Sequence, residues 1–287
     1  MILPDGRRLM YADLGDPDGV PILFAHGMPG CRVEGWFFHR QARRHRFRLV
    51  VPDRPGIGGS SAQPGRVLLD YPRDAAALAD ALGIGRFVAM GWSSGGSRTL
   101  ACAHALADRV SLAVCLSGYT HFAEYPRRGP LLEPTRWPGP ALASWSPRLL
   151  RLAVRALVWL SRRHPGLYLR EARQLTSGQD RELLARHGPT QRFQADQILC
   201  LDSGARAIAD DLMTELVDWG FRLGEVAIPV WLYQGGQDPF VPADYARHLA
   251  SRLPRADLEL MPGAGHLYPL SETFQAQLFG RLRQWLS

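Results

Sequence analysis

Gly91-Trp92-Ser93-Ser94-Gly95-Gly96 is the stretch on which the reading of this chain turns. Phe87-Val88-Ala89-Met90 before it has the composition of a buried strand, and Ser97 to Ala107 after it reads as a helix. A serine in a Gly-x-Ser-x-Gly turn between strand and helix sits in a strained backbone with its hydroxyl presented at the sheet edge, ready to act as a nucleophile. The flanking glycines suit that geometry, because a Cβ at Gly91 or Gly95 would collide with the neighbouring strand or helix. Taken alone, the motif also describes an ordinary glycine-rich loop.

The partners such a serine needs follow downstream. The apolar run Ile228 to Tyr233 ends in Gln234-Gly235-Gly236-Gln237-Asp238-Pro239, which places Asp238 in the loop leaving a strand. Leu258 to Met261 reads as a short strand running into Gly263-Ala264-Gly265-His266. A serine hydroxyl is a poor nucleophile near neutral pH, so an imidazole must accept its proton and a carboxylate must hold the imidazole's tautomer. Ser93, Asp238 and His266 occur in that chain order, each after a strand. Upstream, Val20 to Phe24 reads as a strand entering His26-Gly27-Met28-Pro29-Gly30. Backbone amides of that loop and of the residue after the serine are the expected donors to a tetrahedral oxyanion. Pro29 has no N–H, so Met28 and Ser94 are the expected pair. His26 is read as shaping the loop and not as a base.

These motifs resemble the α/β-hydrolase superfamily over nearly the whole chain, together with Asp53-Arg54-Pro55-Gly56-Ile57-Gly58-Gly59-Ser60, which is structural in that family. The resemblance implies an α/β fold with a mostly parallel central sheet covered by helices on both faces and an inserted helical cap. It implies a core over 1–118 and 222–287, a cap over 119–221, and hydrolysis of a carboxylic ester or related acyl bond through an acyl-enzyme. It implies no cofactor and no metal. Proline iminopeptidases share the oxyanion loop and the serine, and a hydrolase-like binding protein keeps the same residues without turnover; both readings stay open. An aminopeptidase needs cap acids for the substrate amine, but Asp196, Asp202, Asp210, Asp211 and Glu215 are read as exposed helix charges.

The rest of the chain alternates strands with helices. Arg7 to Leu14 and Val20 to Ala25 read as an antiparallel pair turning at Asp16-Pro17-Asp18-Gly19, and Phe47 to Val51 follows as a strand. Tyr71 to Leu82, Pro242 to Leu253 and Ser271 to Leu286 read as helices, and Val110 to Leu116 as a strand. Alternation breaks after Tyr119, where a proline-rich segment carries Trp137 and Trp145; with Trp92, these are the candidate pocket walls. Arg148, Arg151, Arg155 and Arg162 share one face of a helix whose wide apolar face is expected to pack on the core, so membrane contact is not expected.

A chain of 287 residues with 46% hydrophobic content can bury one large core. The formal charge of +7 comes entirely from arginine, since no lysine occurs, and no nucleic-acid motif accompanies it. A small-molecule substrate is therefore the expected partner; the oligomeric state is left open. No run of about 18 apolar residues and no secretory signal is evident. The four cysteines lack metal-type spacing and read as free thiols. A cytoplasmic location is expected.

Overall fold

The computed structural model describes residues 1–126, 145–164, 176 and 178–286. Seven strands form one sheet: β1 (Tyr11–Gly15), β2 (Val20–Ala25), β3 (Phe47–Pro52), β4 (Phe87–Trp92), β5 (Val110–Leu116), β6 (Val230–Gly235) and β7 (Ala256–Met261). Their order is β1-β3-β2-β4-β5-β6-β7, and every neighbouring pair is parallel except β1 with β3.

The expected β1–β2 hairpin is therefore corrected. The turn forms, with the Gly19 amide donating to the Asp16 carbonyl at 3.0 Å, but β3 lies between the two strands. Leu49, Val50 and Val51 are fully buried. A strand apolar on both faces belongs inside a sheet, and β3 reaches that position by taking a neighbour on each edge.

Side-chain alternation along the strands supplies two cores. On one face Val50, Phe87, Ala89, Cys115 and Leu232 pack under α2 (Tyr71–Ala81), α3 (Gly95–Ala105) and α8 (Ala243–Arg252). On the other, Phe24, Val88, Met90, Val114 and Tyr233 pack under α1 (His39–Arg44) and α9 (Glu272–Leu286). Gly83, at φ 68°, ends the α2 segment. All four cysteines are free and buried.

Between β5 and β6 lie α4 (Pro147–Arg163), α5 (Gly178–His187), α6 (Gln191–Asp202) and α7 (Ala205–Leu216). Ser146 and Thr190 cap α4 and α6 by accepting from the Leu149 and Phe193 amides. The two ends of the inserted stretch meet where the His121 ring stacks on Trp219 at 4.8 Å and accepts the Trp219 amide at 3.1 Å.

Helix α4 departs from expectation. Among its described residues only the strip Leu150, Val154 and Val158 is buried, in a cluster with Ile208, Met213 and Leu216 of α7. Leu152 and Trp159, at 58% and 64% exposure, face outward. The reason is local: one side of α7 fills a strip one residue wide, and Asp210 draws Arg151 to its flank at 3.3 Å. Among the described residues no helix is long and apolar enough to cross a membrane.

The α9 side of the core depends on Phe279, fully buried with its ring 5.6 Å from that of Phe47. Phe279→Ala is expected to cost about 3–5 kcal/mol in urea unfolding; a loss under about 1 kcal/mol would mean α9 does not anchor that face.

Candidate active site

The candidate nucleophile sits where β4 turns into α3. Ser93 has φ 55°, the left-handed region that a non-glycine residue enters only when its surroundings force it. What forces it is close packing on both sides. A Cβ at Gly95 would fall 1.9 Å from the Ala25 carbonyl oxygen, and one at Gly91 would fall 2.4 Å from the Gly95 oxygen. The Ser93 amide donates to the Leu116 carbonyl at 2.8 Å, which fixes the turn to β5.

Asp238 and His266 come from the loops after β6 and β7. Asp238 Oδ2 accepts His266 Nδ1–H at 2.7 Å. Its Oδ1 accepts the Phe240 and Val241 amides at 2.9 and 2.8 Å, and Gln234 Nε2 donates to Oδ2 at 3.3 Å. The carboxylate cannot swing away from the imidazole without losing these bonds. Burial opposes protonation of His266, but Asp238, with Asp180 behind it, outweighs burial and holds the imidazole above its ordinary range. Phe240 packs edge-on against the ring at 5.3 Å. Ser93, Asp238 and His266 are 7%, 9% and 9% exposed.

The loop after β2 is held from behind. Arg54 donates to the His26 and Gly27 carbonyls at 2.7 and 2.9 Å. The His26 Nδ1 faces the Gly27 carbonyl at 2.9 Å, so it carries the proton, and Nε2 accepts the Arg54 amide at 3.3 Å. Burial, and then Arg54, hold His26 well below its ordinary range. The Gly27 amide is occupied by Glu34, whose two oxygens each accept it at 3.0 Å. Among the described residues no acceptor takes up the amides of Met28 or Ser94.

Of the expected pocket residues, Trp92 and Trp145 lie in unlike surroundings. Trp92 is buried in the sheet core, and its Nε1–H donates to the His266 carbonyl at 3.2 Å. Trp145 is 78% exposed at the start of α4. Trp137 lies outside the described residues.

The acids of the inserted helices give the largest correction. Asp202 is exposed and Asp210 partly so, but Asp196, Asp211 and Glu215 are buried. Glu215 Oε2 accepts Arg98 at 2.6 Å, and its two oxygens accept the Ser94 hydroxyl at 3.0 and 2.9 Å. Asp211 pairs with Arg54, Arg66 and Arg98 at 3.1, 3.1 and 3.2 Å. Burial works against the Asp211 charge, yet three guanidiniums hold its carboxyl below the usual range. Asp196 accepts the Cys31 amide at 2.8 Å; burial, only partly opposed by that bond, pushes it up to about 7. Burial and the nearby Asp196 raise Glu34 well above the carboxylate range.

Sequence reasoning did not single out Arg54, Arg98, Glu34 or Asp180. One signal was available: Asp211 and Glu215 are four apart, on a helix whose buried face carries Ile208 and Met213. Acids spaced onto an apolar face need buried cations, and Arg98 stands alone among small and apolar neighbours in α3.

A family model described as the alpha/beta hydrolase fold matches residues 20–273. The chain belongs to the α/β-hydrolase family. It is 26% identical over 278 residues to a 2-hydroxy-6-oxononadienedioate/2-hydroxy-6-oxononatrienedioate hydrolase of Burkholderia vietnamiensis, covering 92% of this chain and 87% of that one. Among solved structures, a hydrolase from Pseudomonas aeruginosa superposes with a TM-score of 0.73 at 19% identity, covering 100% and 97% of the two chains. A thermophilic esterase from Thermogutta terrifontis gives 0.67 at 23% identity, over 99% and 94%. This α/β-hydrolase is accordingly an enzyme of hydrolase type.

In this family member, Glu215→Ala is expected to leave Arg98 short of its main partner inside the protein. The cost is about 3–5 kcal/mol in urea unfolding, because an uncompensated buried charge remains. A change below about 1 kcal/mol would show that water replaces the carboxylate there.

Proposed function

We propose that this hydrolase cleaves a carboxylic ester of a small molecule through an acyl-enzyme on Ser93. The observation that carries the reading is the 2.7 Å bond between Asp238 and His266 Nδ1, which leaves Nε2 as the only imidazole nitrogen free to take a proton. Ser93 Oγ attacks the ester carbonyl and its proton passes to His266 Nε2. The oxyanion is held by the amides of Met28 and Ser94. His266 then gives the proton to the departing alkoxide, leaving the acyl group on Ser93. Water attacks that acyl group, His266 takes the water's proton, and the carboxylic acid departs as Ser93 recovers its hydrogen.

Two further features support the reading. Arg54 behind His26 and Gly27 gives the oxyanion loop a fixed backbone, so its donors need no reorganisation during attack. Glu34, whose carboxyl burial and the nearby Asp196 raise well above the carboxylate range, braces the same loop by accepting the Gly27 amide. The inserted helices act as a cap that limits water at Ser93. An aminopeptidase reading is less well supported. Asp180, Asp196, Asp211 and Glu215 are already occupied by amides, guanidiniums or hydroxyls, which leaves a substrate ammonium little to bind.

A fluorophosphonate probe is expected to modify Ser93, and p-nitrophenyl acetate is expected to be turned over repeatedly. Ser93→Ala and His266→Ala should each lower kcat by on the order of 10³-fold or more in a folded protein. One adduct without turnover would identify a binding protein instead. The base must be neutral to act, and the His266 pKa is raised. Activity should therefore fall as pH drops through a value above 6.5 and level off above it. A flat rate between pH 5.5 and 8 would exclude a histidine base.

A further inference from the structure

His266 is held at three points, and only one of them belongs to the triad. Its imidazole is held by Asp238 and its carbonyl by Trp92 Nε1–H. Its amide donates to Asp180 Oδ2 at 2.6 Å, while the next amide, Leu267, donates to Asp180 Oδ1 at 2.9 Å. Asp180 is the third residue of α5, it is fully buried, and it comes from the inserted helices and not from the core. A Cβ at Gly265 would fall 2.2 Å from Asp180 Oδ2, so the glycine before His266 is what lets the carboxylate approach.

The segment that carries His266 needs such a hold. Gly263 and Gly265 both precede it within three residues, and glycine restricts its own backbone least of all residues. Asp238 fixes how the imidazole is turned, but a side-chain bond does not fix where the Cα sits. Two successive amides bound by one carboxylate do fix it. A reacting group displaced by about 1 Å loses roughly 10²-fold in rate.

We propose that Asp180 is a positioning residue for His266, so that a competent histidine depends on α5 being docked against the core. The proposal deepens the reading of Ser93, Asp238 and His266 as the catalytic set and rests on it. Charge follows the same geometry. The charged groups facing His266 are Asp238 from the β6 loop and Asp180 from α5, and both favour the imidazolium. Trp92 and Phe240 complete the contacts as uncharged rings.

The test uses the full chain with Asp180→Asn. Asparagine keeps one acceptor but sets an NH₂ against the second amide. With p-nitrophenyl acetate, kcat is expected to fall about 10²-fold with KM changed less than about threefold, and Ser93 labelling by a fluorophosphonate should slow in parallel. The acid limb of kcat/KM should move to lower pH, because one of two carboxylates favouring the imidazolium is gone. Gly265→Ala provides a second route: it pushes the carboxylate off the amides without removing its charge. It should lower kcat similarly while leaving the acid limb closer to its original position. Glu182→Gln, exposed on the same helix, should change nothing. A folded Asp180→Asn protein with unaltered kcat and acid limb overturns the proposal, as does a lowered melting temperature with native kinetics. If both variants are unfolded at 25 °C, the carboxylate is a folding element and the positioning role is rejected. Failure of the wild-type protein to label at Ser93 would instead reject the underlying triad reading.

Discussion

Buried carboxylates that cross from the helices between β5 and β6 to the segments carrying Cys31, Ser94 and His266 are the constraint on which this structure rests. Each comes from a different helix and reaches a different loop. Asp180 of α5 binds the His266 and Leu267 amides, Asp196 of α6 binds the Cys31 amide, and Glu215 of α7 binds Ser94 and Arg98. The dependence runs in both directions. Arg54 and Arg98 are 1% and 2% exposed in the core, and without Asp211 and Glu215 they would be unpaired cations in a low-dielectric interior. Losing one partner of such a pair costs about 3–5 kcal/mol, a large part of a domain's net stability. Core and insertion are therefore one cooperative unit where the site is concerned.

Arg54 shows how that coupling reaches the loop after β2. Its guanidinium holds two successive carbonyls of that loop, and Asp211 of α7 holds the guanidinium. The hold thus passes from a backbone carbonyl to an arginine to a helix that is far away in sequence. Ser94 has a similar position. It follows the candidate nucleophile, and its side chain is fixed by Glu215 while its backbone opens α3.

What could be read from the sequence followed the range of the interactions concerned. The strand, turn and helix around Ser93 depend on neighbours within a dozen residues, so glycine spacing and apolar runs were enough. Asp238 and His266 were legible because each follows an apolar strand and the chain order is informative. The β1–β2 pairing failed because strand partners depend on which strand most needs burial on both faces, and β3 competed successfully. The acids of α6 and α7 failed for another reason. An Asp or Glu on a helix is exposed unless a cation is buried opposite it, and Arg54 and Arg98 lie more than a hundred residues upstream of Asp211 and Glu215.

The helices between β5 and β6 differ in how they are attached. Helix α7 carries both kinds of attachment: Ile208, Met213 and Leu216 in an apolar cluster, and two carboxylates paired to buried guanidiniums. Among its described residues helix α4 buries Leu150, Val154 and Val158, about 1.5–3 kcal/mol for each side chain fully buried, with Arg151 paired to Asp210 at its half-exposed flank. Apolar contacts are non-directional and can be exchanged for contacts with another apolar surface, whereas a displaced carboxylate leaves a charge behind.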